Sequence, residues 1–282
     1  MGIVCYRFEE NFMKSKLVLL PNVLDETLSH EQFLPVSVAE KVQDLDVLIA
    51  ESEKGGRKFL MRFEYPEGKT FRDIDIRLLN EHSDEEDVKE LVQDLSKGGS
   101  WGLISDCGLP CIADPGAQLI AKLGKGVHVE VVPGPSSIIM ALMLSGIQSQ
   151  SFAFNGYLPR KPEHVKPEVI RLQMQSESLK QTQICIEAPY RSKKMLQSLI
   201  SYLSPDTTLS IAWNITMPNQ GVMTKTIAEW RSASLPDLNK APTVFIFKAA
   251  FKKKQPFDPR KRGRFVDPRK RRGKPFGKKP KR

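Results

Sequence analysis

The amino-acid sequence predicts an α/β protein made of two α/β domains with a cleft between them. Short apolar runs of strand length alternate with stretches of helix length from residue 13 to residue 250. The alternation restarts after Gly146, which indicates a second domain. Loops rich in glycine and proline follow two of the predicted strands, and a cleft between two α/β domains is a usual small-molecule site.

Composition excludes several classes of protein. The chain has 282 residues, of which 40% are hydrophobic and 27% charged, so a wholly disordered chain is excluded. The longest apolar run, Ile138–Leu144, is far shorter than the roughly 20 residues of a spanning helix, so no membrane protein is expected. The first residues carry no signal-peptide pattern, and the 4 cysteines form no disulfide framework. We therefore expect a cytoplasmic, reduced protein.

The first domain is expected to span residues 13–146, after an N-terminal extension over residues 1–12. Its strands are predicted from continuous or alternating apolar residues: Leu17–Leu20, Val47–Ala50, Ile74–Leu78, Trp101–Ser105 and Val127–Val132. Pro21 ends the first of these strands. Stretches of helix length separate the strands: Val36–Leu45, a helix from Glu51, Ser83–Lys97, Pro115–Gly124 and Ser136–Leu144. The acidic residues after Ser83 suit the positive end of a helix, and Gly98 stops that helix.

The second domain is expected to span residues 147–250, with the joint near Ser145–Gln150. Its predicted strands are Phe152–Phe154, Thr182–Ile186, Leu209–Trp213, Val222–Thr226 and Val244–Lys248. Its predicted helices are Pro167–Leu179, Ser192–Leu203 and a helical turn at Ile227–Arg231. The connections are shorter than in the first domain, which predicts more antiparallel pairing.

Positive charge is concentrated in residues 251–282. This tail carries a net charge of +14, whereas residues 1–250 carry −4. The sequence Asp258-Pro259-Arg260-Lys261-Arg262 recurs from Asp267, and proline and glycine are frequent, so the tail is predicted to be disordered alone. Its charge favours a polyanion, and we favour RNA over a merely solubilising role, with DNA or an anionic membrane surface left open. Phenylalanines among the charges could stack on unpaired bases.

Two loops carry the clearest chemical signal. Ser105–Gly116 and Val132–Ser137 each lie between a predicted strand and a predicted helix, where ligands of open α/β sheets bind. Gly108 lets the backbone approach a ligand closely, and for Asp114 alone we favour a helix-capping role. Neither loop is a P-loop or a GxGxxG dinucleotide fingerprint.

These loops, together with two later segments, resemble one family. Ser105–Gly116, Val132–Ser137, the segment Phe152–Pro159 and the E-x-P-x-R stretch Glu187–Arg191 follow in the order of its motifs. The chain resembles the ribosomal RNA small subunit methyltransferase I family over Lys16–Phe247. That family lies within the tetrapyrrole methylase superfamily of S-adenosylmethionine-dependent enzymes. Two loops depart from its pattern: Leu20–Asp25 lacks the glycine of T-P-I-G-N, and Glu51–Lys54 stands in place of E-D-T-R.

The resemblance implies a cofactor cleft between the two domains, a homodimer, and 2′-O-methylation of a cytidine ribose in 16S rRNA of the small ribosomal subunit. It implies S-adenosylmethionine contacts from Leu20, Pro21, Ser105, Asp106, Gly108, Leu109, Ile112, Gly134, Pro135, Ser137, Ile138, Glu187, Ala212, Pro242 and Thr243. Asp106 and Glu187 are the candidates to accept a proton from the acceptor hydroxyl, although a structural role is the stronger interpretation for each. Positioning and electrostatics can supply most of the rate of such a transfer.

The candidates for RNA contact are basic. They are Arg160, Lys161 and Arg191 near the cleft, and Arg260, Lys261, Arg262, Arg269, Lys270, Arg271 and Arg272 in the tail. Tyr157 could stack on a base or be a buried aromatic residue. No histidine or cysteine spacing indicates a metal site. Two other functions stay open: methylation of a small molecule such as a tetrapyrrole, and non-catalytic binding of the ribosome or RNA.

Overall fold

The computed structural model describes residues 15–250, which contain two five-stranded sheets. The predicted extension over residues 1–12 and the basic tail, with its seven candidate RNA contacts, lie outside the described residues. Within them, the predicted α/β fold class is confirmed, with two sheets and their helices.

The first sheet is wholly parallel, with the order β3-β2-β4-β1-β5. Its strands are β1 Ser15–Leu19, β2 Val47–Ala50, β3 Asp75–Leu78, β4 Gly99–Leu103 and β5 Val127–Val131. The helices between them are α1 Val36–Gln43, α2 Glu53–Leu60, α3 Glu85–Ser96 and α4 Gly116–Lys122. Two short 3-10 turns occur at His30–Gln32 and Phe71–Asp73. One apolar core contains residues of α1 and α2 and another contains residues of α3 and α4, so both faces of the sheet are covered.

The second sheet is mixed, with the order β6-β7-β10-β8-β9. Its strands are β6 Phe152–Tyr157, β7 Thr182–Glu187, β8 Thr208–Trp213, β9 Gly221–Thr226 and β10 Thr243–Lys248. Only β6 and β7 pair in parallel, whereas the other three pairings are antiparallel as the short connections predict. α6 Pro162–Leu179, α7 Ser192–Tyr202 and α8 Ile227–Trp230 contribute to one core of this sheet.

α5, Ser137–Ser145, packs against the second sheet although it precedes the predicted joint. Its Ala141 and Leu142 share a buried cluster with Ile184 of β7, Ala212 of β8 and Val244 of β10. The division of the chain at residue 146 stays a prediction. The packing of α5 favours a boundary in the loop before that helix.

Two elements are longer than predicted. α6 begins at Pro162, not at Pro167, because the first proline occupies the first helical position while the second is accommodated inside the helix. β6 extends to Tyr157 through an irregular register after Phe154, with Gly156 at a φ of +65°. None of the helices in residues 15–250 combines the length and apolarity needed to cross a membrane.

Candidate functional site

Most of the predicted cofactor residues line one cavity of about 410 Å³ between the two sheets. On one side it is lined by the loop after β4 and by the first residues of α5. On the other it is lined by residues that follow β7 and β8 and by the start of β10. A volume of this size is typical of small-molecule sites.

Ten of the fifteen predicted cofactor residues line this cavity. They are Ser105, Asp106, Gly108, Leu109, Ile112, Ser137, Ile138, Glu187, Pro242 and Thr243. The other five, Leu20, Pro21, Gly134, Pro135 and Ala212, do not line it. Leu20 and Ala212 are fully buried in the cores of the two sheets. A cofactor role for any of the fifteen stays a prediction.

Asn22 holds the loop after β4 in place. Its side-chain Nδ2 donates to the carbonyl oxygens of Ser105 at 3.0 Å and Asp106 at 3.1 Å, and its backbone N–H donates to Gly108 O at 2.8 Å. Gly108 has a φ of +77°, and a Cβ there would lie 3.2 Å from Leu24 Cδ2. The first loop therefore supports the second loop without the glycine of the family pattern.

Pro21 and Gly134 bring the loops after β1 and β5 into direct contact. A Cβ built on Gly134 would lie 2.0 Å from Cβ and 2.6 Å from Cγ of Pro21, far inside van der Waals contact. Only glycine fits this approach. Both residues therefore stand behind the cavity wall and shape it without lining it.

Uncommon backbone conformations occur on both sides of the cavity. Cys111 and Ala113, in the loop after β4, have φ values of 67° and 62°. Asn214 and Thr216, in the loop after β8, have values of 50° and 73°. Positive φ is uncommon for non-glycine residues, above all for a β-branched one, and such residues concentrate at functional sites.

The cavity is acidic. Glu51, Asp106, Asp114 and Glu187 line it, and no lysine or arginine of residues 15–250 does. Burial raises the pKa of Glu51, Asp114 and Glu187 above the usual values. A cavity with this charge favours a cationic ligand over an anionic one.

The four carboxylates differ in their partners. Glu187 Oε1 accepts from the Ala188 N–H at 2.8 Å, whereas its buried Oε2 lies 3.1 Å from Arg191 Nη2 in an ion pair and accepts no hydrogen bond within residues 15–250. Asp114 Oδ1 accepts from the N–H of Gly116, the first residue of α4, at 2.7 Å, but the N-cap of α4 is Pro115, one residue later than the expected cap at Asp114.

Glu51 is less fully engaged. Its Oε1 accepts from the Asp106 N–H at 2.9 Å, and no partner of its Oε2 is found in the described part of the chain. Asp114 Oδ2 is buried and has no hydrogen-bond partner within residues 15–250. Both oxygens are therefore suited to a polar or cationic ligand.

A wider groove of about 540 Å³ adjoins the cavity and shares Glu51, Asp106, Asp114 and Glu187 with it. Tyr157 and Tyr190 line the groove with 59% and 78% of their surfaces exposed, so Tyr157 is not a buried aromatic residue. Such exposed rings are suited to stacking on a planar ligand.

The three candidate RNA contacts within the described residues differ in exposure. Arg160 lines the groove, and Lys161 is exposed at the start of α6. Arg191 is mostly buried, donates to Pro159 O at 2.9 Å and pairs with Glu187. Arg191 therefore lies beside Glu187, and its Nη2 is engaged by that carboxylate and by Pro159 O.

No group of three or more potential metal ligands occurs in residues 15–250. Desolvation raises the pKa of the Cys107 and Cys111 thiols to about 11, which keeps both protonated at neutral pH.

The sequence interpretation missed Glu51 and Asp114 as cavity residues. Glu51 directly follows β2, and Asp114 lies in the loop after β4. A signal existed for Glu51, because carboxyl ends of neighbouring parallel strands meet at one edge of a sheet.

Comparisons with known proteins identify the family and the fold of the chain. The family model described as Tetrapyrrole (Corrin/Porphyrin) Methylases matches residues 30–230. The crystal structure of the methyltransferase CobJ superposes with a TM-score of 0.55, covering 83% of this chain and 93% of that one. At 14% identity this likeness shows the fold alone.

Curated relatives carry the name that the motifs indicate. Ribosomal RNA small subunit methyltransferase I of Vibrio cholerae is 31% identical over 186 residues, which is 66% of this chain and 61% of that protein. The protein of the same name from Halalkalibacterium halodurans is 29% identical over 191 residues, or 67% and 61% of the two chains. The matched part thus spans about three fifths of the length of these relatives, and the predicted resemblance is confirmed.

The family model covers more than half of the chain, and the two sheets have the fold of a tetrapyrrole methylase. The chain belongs to the tetrapyrrole (corrin/porphyrin) methylase family.

Proposed function

We propose that the chain is an S-adenosylmethionine-dependent methyltransferase that methylates the 2′-hydroxyl of a cytidine in 16S rRNA. The acidic cavity between the two sheets carries this proposal. Family membership supports the methyl transfer, and the names of the relatives support the ribosomal RNA acceptor.

The residues of the cavity fit this cofactor, which carries a positive charge on its sulfonium. Four carboxylates and no basic side chain line the cavity within the described residues, so it favours a cation over a nucleotide phosphate. Leu109, Ile112, Ile138 and Ile215 supply apolar surface for the rest of the molecule. When bound, the cofactor supplies the methyl group of a positively charged sulfur.

The residues of the chain then orient the acceptor and receive its proton. Of the two predicted proton acceptors, Glu187 is engaged by Arg191 and by the N–H of Ala188, which favours a structural role. Asp106 lines both cavity and groove, and Glu51 joins it as a candidate, because its Oε2 has no partner within residues 15–250. A carboxylate within reach of a ribose hydroxyl accelerates its attack by accepting the proton.

We also propose that the protein works in the cytoplasm as a homodimer, with the small ribosomal subunit or its RNA as the partner. The names of the relatives support the RNA partner. The proposed homodimer follows from the family resemblance.

Isothermal titration with S-adenosylmethionine tests the cofactor. We expect saturable binding by the wild-type chain and its loss in Leu109→Arg, which places a cation in the acidic cavity wall. Leu235→Arg is the matched control, because Leu235 is exposed and lies outside the cavity. If a folded sample free of bound cofactor does not bind S-adenosylmethionine, the proposed methyltransferase activity is contradicted. The remaining hypothesis is an RNA-binding protein with this fold.

Methyl incorporation into ribosomal small subunits then tests the acceptor. We expect radiolabel in 16S rRNA and a reverse-transcription stop, at low nucleotide concentration, at one cytidine. Cofactor binding together with labelling of a tetrapyrrole and not of RNA would instead identify a small-molecule methyltransferase.

A further inference from the structure

A second pocket, of about 260 Å³, lies beside α2. Its charged lining consists of Glu26, Lys54, Lys58, Arg62 and Asp106. Asp106 also lines the acidic cavity, so the two sites share one wall. The proposed cofactor contacts use none of the three basic residues, and only Lys54 belongs to a segment compared with a family motif, E-D-T-R.

The three basic residues of this pocket share one side of a helical segment. Lys54 and Lys58 are four residues apart on α2, and Arg62 follows at the same spacing in the turn beyond it. Lys58 Nζ lies 2.5 Å from Glu26 Oε2 in an exposed ion pair. Lys54 and Arg62 have no ion-pair partner in the described part of the chain, and Arg62 Nε is buried there without a hydrogen-bond partner. Two cations of the pocket are therefore free to meet an anion.

Gly55 brings the pocket and the cavity together. A Cβ on Gly55 would lie 3.0 Å from Asp106 Oδ1 and 2.9 Å from Ser52 Oγ, so a side chain there would displace these two side chains. The missing side chain keeps Asp106 against α2.

The neighbouring sites are unsuitable for phosphate. The cavity is lined by four carboxylates, and the groove adds Glu81 to the same four, against Arg160, Arg191 and His82. Arg191 is already paired with Glu187. Carboxylates that line a partly buried site repel a phosphate. An RNA strand that reaches the cavity therefore needs its backbone held elsewhere.

We propose that the pocket formed by Lys54, Lys58 and Arg62 binds a phosphodiester group of the acceptor RNA. This inference rests on the proposed function, because it assumes an RNA acceptor at the cavity. Lys54 and Arg62 contact the phosphate, and Lys58 adds positive charge while Glu26 orients it. Since Asp106 forms the shared wall, the sugar attached to that phosphate lies at the edge of the acidic cavity.

Amine footprinting of the full chain tests the site residue by residue. The chain is treated with an amine-reactive reagent with and without a single-stranded oligoribonucleotide, and each lysine is quantified by mass spectrometry. We expect the RNA to lower modification of Lys54 and Lys58 several-fold, while the exposed Lys122 and Lys125 react equally in both samples. Unchanged modification of Lys54 and Lys58 at saturating RNA would overturn the proposal. Protection by inorganic phosphate but not by RNA would overturn it as well.

Charge-neutralising variants supply a second measurement. The triple variant Lys54→Gln, Lys58→Gln, Arg62→Gln is compared with Lys97→Gln, Lys122→Gln, Lys125→Gln, which removes equal charge at positions outside the pocket. The slope of log K for RNA against log salt should fall by about 0.7 for each lost phosphate contact in the first variant only. Equal slopes in the two variants would contradict the site.

Failure of this inference is distinguishable from failure of the proposed function. Both variants should bind S-adenosylmethionine like the wild type, because neither changes a residue of the acidic cavity. Normal cofactor binding and methyl transfer, without protection of Lys54 by RNA, would contradict the phosphate site and support the proposed methyltransferase activity. Protection of Lys54 by RNA, without any cofactor binding, would contradict the proposed methyltransferase activity and support the phosphate site.

Discussion

Gly134 has no side chain, and this lets the loop after β5 approach the ring of Pro21 closely. Because a Cβ would overlap Cβ and Cγ of Pro21, Gly134→Ala must displace one of the two loops behind the cavity. We expect a loss of about 1–3 kcal/mol in the free energy of unfolding, as in other overpacked sites, together with weaker cofactor binding. Urea denaturation and isothermal titration measure the two effects.

Gly124→Ala is the matched control for that substitution. Nothing lies within 4 Å of a Cβ at Gly124, which precedes β5 at the far edge of the first sheet. This variant should be neutral or stabilised by up to about 1 kcal/mol. Equal free energies of unfolding for the two variants would contradict the prediction, because they would show that the two loops can move apart without destabilising the protein.

Glu51 predicts a pH dependence of stability. Burial raises the pKa of Glu51 above 4.5, so the folded state holds its proton to a higher pH than the unfolded chain does. Between those two pKa values the folded state binds more protons, and stability therefore falls as the pH rises through that window. Glu51→Gln should raise the free energy of unfolding at pH 7, and the difference from wild type should shrink towards pH 4.

Urea denaturation at a series of pH values measures this effect. Glu177→Gln, at an exposed position on α6, makes the same chemical change outside the cavity and should show no such trend. A Glu51→Gln variant less stable than wild type at pH 7 would contradict the prediction. The same variant should weaken cofactor binding, because it removes a negative charge from a cavity that favours a cation. A gain in stability with a loss of binding is common when a charged site residue is replaced.

The sequence predicted cavity residues well where a loop carries its own motif, and less well elsewhere. The residues from Ser105 to Ile112 were found because glycine and proline mark the loop after β4. Glu51 was missed because its only signal is its place after a parallel strand, and one carboxylate there has no motif of its own. Leu20 and Ala212 were assigned from the family pattern, yet their side chains belong to the cores of the sheets. Whether a residue at a strand end faces a cavity or a core depends on the packing of distant elements.

At the scale of one element, α6 carries a proline that it does not need. Pro167 is exposed in the second turn and has no N–H to donate to the carbonyl of Glu163. Pro167→Ala should raise the free energy of unfolding by about 1–3 kcal/mol, measured by urea denaturation. Pro162→Ala, at the first helical position, should change it little, because that position has no hydrogen bond to lose. A destabilised Pro167→Ala would contradict this account.

The two prolines also explain the wrong start predicted for α6. Proline is favoured in the first turn of a helix, and the sequence offers two candidates five residues apart. The buried Val165, which packs into the core of the second sheet, requires the earlier start. Tertiary packing of this residue outweighs the missing hydrogen bond.

At the scale of the whole molecule, charge is divided between the two parts of the sequence. Removing residues 251–282 changes the net charge from +10 to −4. We expect the truncated chain to bind RNA more weakly, with a salt slope lower by about 0.7 for each phosphate that the tail neutralises. Titration with S-adenosylmethionine should give the same affinity for both chains. RNA affinity equal to that of the full chain would contradict a role of the tail in RNA binding.

The fold itself followed from the sequence because strand and helix periods agree along most of the chain. The alternation of β1 to β5 with helices predicted a largely parallel sheet, and the short connections of the second domain predicted more antiparallel pairing. The side on which α5 packs could not be predicted. That helix is apolar on most of its surface, so its own pattern does not select a sheet.

The position of β1 in its sheet sets the order in which the chain can fold during synthesis. β1 leaves the ribosome before the other strands, yet its neighbours are β4 and β5, and Ser15 pairs with Gly99 and Val127. This apolar strand has no partner until β4 has been translated, and its second edge stays open until β5 is complete. Nascent chains that end before β4 therefore expose an aggregation-prone segment.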